Sequence, residues 1–189
     1  MTTLKIMLDN DPRHRFDHDE SGYPFGNCIK CGIPRIAELD DPRLGRCRPE
    51  WSETWMNIAR AIAERSYDPR LKVGAIIVSD DNTQMLSMGY NGNYKGGPHV
   101  HDSTEPGQSG FIHAEVNALV KCDFNFHKKK HMYVTHSPCR SCSKLIINAG
   151  ISRVIYDLEY RDVSGLEMMR SVGIDVMNIN DAILTADDT

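Results

Sequence analysis

The sequence predicts an α/β protein in which helices cover the faces of a five-stranded sheet. Short apolar runs predict strands, and longer segments with an apolar residue every three or four positions predict helices. After a first helix, the predicted order of elements is ββαβαβαβ, which is typical of a sheet with helices packed against it. At 189 residues the chain is long enough for one domain with a core of its own.

The first half of this pattern is a helix followed by a hairpin. Apolar residues recur at helical spacing from Trp51, and the helix is expected to end near Ser66. Residues 73–78 form a continuous apolar run that predicts a buried strand, and residues 85–89 predict its hairpin partner. The next loop, rich in glycine and proline, runs to about Phe111, and loops of this length are often functional.

The second half alternates helices and strands. Gly150 and Gly173 follow two of the predicted helices, as is common at helix C-termini. The acidic tail is expected over residues 181–189, and its last residues, 186–189, are expected to be frayed. The predicted elements are a helix over residues 114–121, a strand over 132–135, a helix over 139–149, a strand over 154–156, a helix over 163–172 and a strand over 174–179.

Residues 1–50 differ from the rest, because they hold many prolines and charges and no long apolar run. They also carry three cysteines and two histidines, so a structural zinc ion could fold them. The alternative is a disordered segment with free thiols. We therefore predict an N-terminal appendage over residues 1–50, a main domain over 51–180 and a tail over 181–189. The candidate ligands in the appendage are Cys28, Cys31, Cys47, His14 and His18.

The charge of the chain limits the classes of partner. The formal net charge of −4 and the pI near 6.0 argue against a general nucleic-acid binder, so no polynucleotide partner is expected. A small anionic substrate remains compatible, because a few local cations can bind one phosphate. No segment approaches the roughly 20 apolar residues of a membrane helix, and the N-terminus resembles no signal peptide. We therefore expect a cytoplasmic protein without a membrane partner.

Two short motifs predict the chemistry. His113-Ala114-Glu115 reads as H-x-E, and residues 138–142 read as P-C-x-x-C, together the ligand pattern of a zinc nucleobase deaminase. One imidazole and two thiolates suit tetrahedral zinc and leave a fourth position for water. Both motifs fall at predicted helix starts, where the helix dipole favours thiolates. The expected zinc ligands are His113, Cys139 and Cys142, and Glu115 is the expected proton carrier.

Two other interpretations of these motifs stay open. Cys139 and Cys142 could form a redox-active dithiol, although the upstream histidine and glutamate weaken that interpretation. The chain could also be a non-catalytic zinc protein that binds a partner on the same scaffold. Such a protein would have no need for a carboxylate at Glu115.

Beyond these motifs, the chain resembles the deoxycytidylate (dCMP) deaminases of the cytidine deaminase-like fold. H-x-E and P-C-x-x-C are shared by many deaminases, whereas Arg-Ser before Val-Gly-Ala, and Gly-Tyr-Asn-Gly after the hairpin, resemble the dCMP branch. The similarity extends over about residues 51–180. The matching stretches are residues 65–78, 89–92, 113–118 and 133–142.

This resemblance implies a three-layer α/β/α fold with a central mixed five-stranded sheet. It implies hydrolysis of dCMP to dUMP and ammonia, feeding thymidylate synthesis, with zinc-bound hydroxide attacking C4 while Glu115 moves the protons. Asn91 matches a loop asparagine that contacts the sugar or base, and Gly89 and Gly92 are expected to let the backbone approach the ligand. The other candidate substrate contacts are Arg65 and Ser66 for the phosphate, Tyr90 and Ala114.

The resemblance also implies a homo-oligomer that dCTP activates and dTTP inhibits, with Mg²⁺ accompanying the regulatory nucleotide. Members of this family often hold a second zinc in the loop before H-x-E, through a cysteine or a histidine. This chain has His99 and His101 there but no cysteine, so both histidines are expected at the surface.

Other deaminase substrates compete with dCMP. The sequence leaves dCTP and CMP open as substrates. The tRNA adenosine deaminases share both motifs but usually belong to basic chains, and this chain is acidic. A pterin or riboflavin-pathway deaminase fits the stretches at residues 65–66 and 89–92 less well.

Overall fold

The N-terminal part of the chain contains two small sheets. The computed structural model describes residues 5–7, 16–18, 24–25, 28, 33–38 and 49–184, with 106 and 124 excepted. Contacts divide the chain into two compact units, Met1–Glu50 and Trp51–Thr189. In the first unit β1 (Lys5–Met7) pairs antiparallel with β4 (Ile36–Glu38), and β2 (Asp17–His18) pairs with β3 (Pro24–Phe25). These strands were not predicted from the sequence.

The predicted N-terminal zinc site remains a prediction. Cys31, Cys47 and His14 lie outside the described residues, as does the side chain of His18. Cys28 is buried, in a small cluster with Phe16, Ile33 and Ala37.

The larger unit is built on a mixed five-stranded sheet, as predicted. The strand order is β6-β5-β7-β8-β9; β5 is antiparallel to β6 and β7, and β7, β8 and β9 are parallel. The elements are α1 (Trp51–Ala63), β5 (Gly74–Ser79), β6 (Met85–Tyr90), α2 (Ala114–Leu119), β7 (Lys130–His136), α3 (Arg140–Asn148), β8 (Ile151–Leu158), α4 (Ser164–Ser171), β9 (Asp175–Asn178) and α5 (Ile179–Leu184).

Helices cover both faces of this sheet and make the three layers that were expected. Successive residues of a strand point to opposite faces, so a central strand with apolar residues at every position feeds two cores. In β5, Ala75 and Ile77 pack with residues of α2, α3 and α4, whereas Ile76 and Val78 pack with α1 and α5. The prediction of the α/β fold class is confirmed.

The differences from the predicted elements lie at the ends. The first helix stops at Ala63, three residues before the predicted Ser66. Helix α5 was not predicted, and it crosses the boundary predicted between the main domain and the tail at residues 180 and 181. The residues expected to be frayed, 186–189, lie outside the described residues. Ala182 is 5% exposed because it packs in the core beside α1. In the part of the chain that the structure describes, no helix is both long and apolar enough to cross a membrane.

Candidate active site

Two helix starts bring the predicted metal ligands together. His113 precedes the first residue of α2, Cys139 precedes the first residue of α3, and Cys142 lies in the first turn of α3. The His113 Nδ1 atom lies 3.6 Å from the Cys139 sulfur and 3.3 Å from the Cys142 sulfur. The three candidate ligand atoms all lie within 4.8 Å of one another. The two sequence motifs therefore converge on one point.

This donor set fits a zinc ion. With Zn–S bonds of about 2.3 Å and a Zn–N bond of about 2.0 Å, tetrahedral geometry separates nitrogen from sulfur by about 3.5 Å. The two nitrogen–sulfur distances of 3.3 and 3.6 Å bracket that value. Three protein ligands of this type leave a fourth position for water or substrate, which is the arrangement of catalytic zinc sites.

Without the metal, the same three side chains share protons. The hydrogen bond from Cys142 lowers the pKa of Cys139 to about 3, and a hydrogen bond with His113 acts in the same direction. The contact with Cys139, together with burial, raises the pKa of the Cys142 thiol. The hydrogen bond with Cys139 also raises the pKa of His113. The metal-free cluster is thus a thiolate held between a thiol and an imidazole.

Glu115 is the second residue of α2, and it is buried. Its side chain is 4% exposed, and this burial is the main reason why its pKa is raised. Its carboxyl group contacts the Cys142 side chain. It is not one of the three converging ligand atoms. A carboxyl group with a raised pKa next to the metal position can both accept and return a proton near neutral pH.

The cluster opens into a cavity of about 900 Å³. Five parts of the larger unit supply its walls: residues within 68–73, Asn91, residues within 107–116, within 136–145 and within 160–162. Most of these residues belong to loops at the ends of strands. They lie at the end of the sheet where the central strand β7 leads into α3. This volume is in the range of a site for a small molecule.

Asn91 and Ala114, two of the predicted substrate contacts, line this cavity. Asn91 is 7% exposed, and its side chain is already bonded. Its Nδ2 donates to Asp68 Oδ2 (3.1 Å) and to the Leu71 carbonyl (2.8 Å), and its Oδ1 accepts from the Val73 N–H (2.8 Å). Both amide hydrogens are therefore used, and a ligand can only donate to Oδ1.

Arg65, Ser66 and Tyr90, the other predicted substrate contacts, do not line the cavity. The hydroxyl of Ser66 is buried and donates to the Asn91 carbonyl at 2.8 Å, so it holds the turn before β5. The structure places Arg70 on the cavity wall in place of Arg65, five residues along the same motif. The cavity wall therefore offers Arg70, and not Arg65 or Ser66, as a cation from this motif.

Sequence reasoning missed several wall residues. Arg140, Arg161 and Tyr160 also line the cavity, and Arg140 lies inside the P-C-x-x-C motif without having been assigned a role. The expectation that His101 is a surface residue is wrong, because its side chain is 14% exposed and lies against Asp68. His99 is exposed, as expected.

Comparisons with known proteins agree with this geometry. Residues 49–158 match a family described as the cytidine and deoxycytidylate deaminase zinc-binding region. The deoxycytidylate deaminase of Mycobacterium phage D29 is 39% identical over an alignment of 127 positions, and the alignment covers 59% of this chain and 98% of that protein. The human deoxycytidylate deaminase is 37% identical over an alignment of 118 positions, and the alignment covers 57% of this chain and 64% of the human protein.

A solved structure agrees as well. The dCMP deaminase of the cyanophage S-TIM5, crystallised with dCMP and dUMP, is 34% identical and aligns with a TM-score of 0.61. The alignment covers 69% of this chain and 98% of the cyanophage chain. The chain thus spans almost the whole of the two phage enzymes and less than two thirds of the human enzyme.

Proposed function

Because this chain belongs to the cytidine and deoxycytidylate deaminase family, we propose that it hydrolyses dCMP to dUMP and ammonia. The observation that carries this proposal is the buried Glu115 carboxyl beside a His113, Cys139 and Cys142 donor set, at the base of a cavity of nucleotide size. The similarity to phage and human deoxycytidylate deaminases supports the choice of substrate.

His113, Cys139 and Cys142 would hold the zinc ion. When bound there, zinc lowers the pKa of a water molecule and supplies a nucleophile for C4 of cytosine at neutral pH. Glu115 accepts a proton on its carboxylate, gives it to N3 of the ring and then assists the departure of the amine. The C4–N4 bond breaks, a C4 carbonyl forms and ammonia leaves. The burial that raises the pKa of Glu115 suits this repeated transfer.

The residues of the cavity wall support a nucleotide, rather than a nucleoside, as the proposed substrate. Asn91 Oδ1 can accept a hydrogen bond from a sugar hydroxyl, since its amide hydrogens are already used. Arg70, Arg140 and Arg161 line the same cavity and carry fixed positive charge for a phosphate. Of these, Arg70 lies two residues after Asp68 in the motif that resembles the dCMP branch, and we assign the phosphate contact to it.

Regulation and assembly follow from the same resemblance. We propose a cytoplasmic homo-oligomer that dCTP activates and dTTP inhibits, with Mg²⁺ bound to the regulatory nucleotide. Sedimentation with each nucleotide, and the dependence of rate on dCMP concentration with and without dCTP, test these points. A hyperbolic dependence of the rate on dCMP concentration, unchanged by dCTP or dTTP, would contradict the proposed regulation.

The N-terminal unit is proposed to hold a structural zinc through its cysteines and an upstream histidine. The proposal rests on the C-x-x-C pair of Cys28 and Cys31 and on Cys47 within the same unit. Metal analysis of the purified chain tests whether this unit holds zinc. Two zinc ions per chain would agree with the proposal, and one zinc ion per chain would contradict it.

The activity test is a panel of dCMP, CMP, dCTP, deoxycytidine and cytidine, with ammonia release as the readout. Turnover confined to dCMP supports the proposed substrate. Turnover of another nucleotide would keep the chemistry and change the substrate. A protein that holds zinc at His113, Cys139 and Cys142 but releases no ammonia from any of the five would contradict the proposed activity.

A further inference from the structure

The Asp68 carboxylate joins two parts of the cavity wall. Its Oδ1 accepts hydrogen bonds from the backbone N–H groups of Arg70 (2.8 Å) and Leu71 (3.2 Å). Its Oδ2 accepts a hydrogen bond from Asn91 Nδ2 at 3.1 Å. Asp68 is 6% exposed. The position of this buried carboxylate therefore sets where the Asn91 amide lies and where the backbone turns into Arg70.

His101 reaches the same carboxylate from the long loop between β6 and α2. Its Nε2 lies 3.1 Å from Asp68 Oδ1. Among the described residues Nε2 has no aligned hydrogen bond, so this approach is a close contact between the ring nitrogen and the carboxylate oxygen. The imidazole ring also packs edge-on against Phe111, a wall residue, with ring centroids 4.8 Å apart.

Two further contacts hold the loop without touching the Asp68 side chain. The exposed rings of Tyr67 and His99 stack with centroids 3.9 Å apart. The guanidinium of Arg70 donates to the carbonyl of Thr104 at 2.9 Å. His99 thus shares the loop with His101 but not its carboxylate partner, so the two histidines form a matched pair for a test.

We propose that His101 is a positioning residue for nucleotide binding. It holds the Asp68 carboxylate, and through it fixes Asn91 and Arg70 on the cavity wall. His101 lies outside the cluster of metal ligands, so its loss changes nucleotide affinity and not the chemical step. This inference rests on the proposed function, because the nucleotide that it positions is dCMP.

The test compares dCMP binding by calorimetry in a Glu115→Gln parent, together with KM and kcat in the otherwise unchanged enzyme. His101→Ala should weaken binding and raise KM about 10-fold, since a buried charged group loses a partner, with kcat changed less than about 2-fold. His101→Gln keeps an N–H donor at the same reach and should recover most of the affinity. His99→Ala should bind dCMP within about 2-fold of the parent.

A double-variant comparison checks that the effect passes through Asp68. If it does, His101→Ala added to Asp68→Asn should weaken binding no further than Asp68→Asn alone. Full additivity of the two changes would overturn the proposal. If His101→Ala does not fold, His101→Asn, whose amide stops short of the carboxylate, takes its place.

The remaining outcomes separate this inference from the proposed function. Equal weakening by His99→Ala and His101→Ala would assign the effect to a loose loop and overturn the inference. A fall in kcat at unchanged KM would also overturn it. An enzyme with Glu115 intact that binds dCMP without deaminating it would contradict the proposed function alone, because the binding comparison still decides the role of His101. A parent that does not bind dCMP would overturn both.

Discussion

Gly89 on β6 lies so close to the first turn of α2 that a Cβ atom there would come within 2.3 Å of the Ala114 carbonyl oxygen. The same Cβ would meet the Ala118 nitrogen at 2.4 Å. The sequence had suggested that Gly89 lets the backbone approach the ligand, and that interpretation is wrong. The space beside Gly89 is occupied by the helix that carries Glu115 and follows His113.

A side chain at Gly89 should therefore displace the active site. We expect Gly89→Ala to lower the free energy of unfolding by about 1–3 kcal/mol, because backbone atoms must move. It should also weaken zinc binding, since α2 begins directly after His113. Gly92→Ala is the control, because the nearest atom to its Cβ is 3.9 Å away. Denaturant unfolding and metal analysis check this, and equal stability of the two variants would contradict it.

Removal of the Glu115 carboxylate should separate metal binding from turnover. Glu115→Gln keeps the shape of the side chain, and we expect it to retain zinc while turnover falls about 10²- to 10⁴-fold, as for a lost proton carrier. The readouts are zinc content and ammonia release from dCMP. Glu167→Gln, a matched change at an exposed position of α4, should leave both unaltered. Undiminished turnover in zinc-loaded Glu115→Gln would exclude the assigned role.

Zinc binding to the metal-free protein should release protons. At neutral pH the raised pKa of Cys142 keeps its thiol protonated, whereas the lowered pKa of Cys139 makes it a thiolate. Because a ligand thiol must lose its proton, we expect about one proton per zinc from Cys142 and a further contribution from His113. Calorimetry in buffers of different ionisation enthalpy measures this number.

The control for this measurement is Cys122, a buried cysteine of the core. Cys122→Ala should bind zinc with the same proton release, and Cys142→Ala should bind it weakly. Zinc binding at pH 7 without any proton release would show that both thiols are already ionised.

Replacement of Arg70 and replacement of Arg65 are expected to differ in their effect on binding of the dCMP phosphate. Arg70 lines the cavity and Arg65 does not. We expect Arg70→Ala to raise KM for dCMP about 10- to 100-fold, the cost of a lost charge-assisted contact, with a smaller effect on deoxycytidine. Arg65→Ala should change KM for either substrate little. The reverse ranking would restore the assignment made from the sequence.

His131 should make the fold sensitive to acid. Its ring is buried in β7, and burial, followed by the charge of Arg153, lowers its pKa from 6.5, against a smaller opposing effect of Asp80 and Asp175. The folded state thus disfavours the protonated ring. The contribution to stability is complete above the unfolded pKa of 6.5 and is lost as the pH falls toward the lower folded pKa.

Unfolding free energies measured from pH 7.5 down to about pH 5 check this expectation. The decrease should be at most about 1.4 kcal/mol per pH unit for one proton, and His131→Leu should flatten it. Some slope should remain, because burial lowers the pKa of His136 as well. His127→Gln, on the exposed loop before β7, should leave the slope unchanged. An equal slope in His131→Leu would contradict the assignment.

The features that could be predicted from the sequence are those that depend on residues close together along the chain. The β5 run is apolar at every position because both of its faces are covered, and such a run identifies a central strand. His113 and the two cysteines could be assigned because each of the two short motifs that contain them lies at a helix start. Their convergence follows once two helices pack on the same face of the sheet.

The sequence did not predict contacts between residues that are distant along the chain. His101 and Asp68 are 33 positions apart along the chain, and no motif used in the prediction contains both of them. Arg70 was passed over for Arg65 because a motif fixes neighbours in sequence without indicating which side chain turns inward. Helix α5 was missed because its six residues follow β9 directly and are too few for a periodic pattern.

The two connections that reach the active site differ greatly in length. Only residues 137–139 separate β7 from α3, whereas residues 91–113 separate β6 from α2. The short connection ties the thiolates rigidly to the central strand, and the long one carries His101, Phe111 and the carbonyl groups that hold Arg70. Exchange of the part of the long connection before His113 should therefore change the substrate contacts while His113 and the two cysteines stay in place. Grafting a relative's loop between Asn91 and Ile112 would test this separation of substrate contacts from metal ligands.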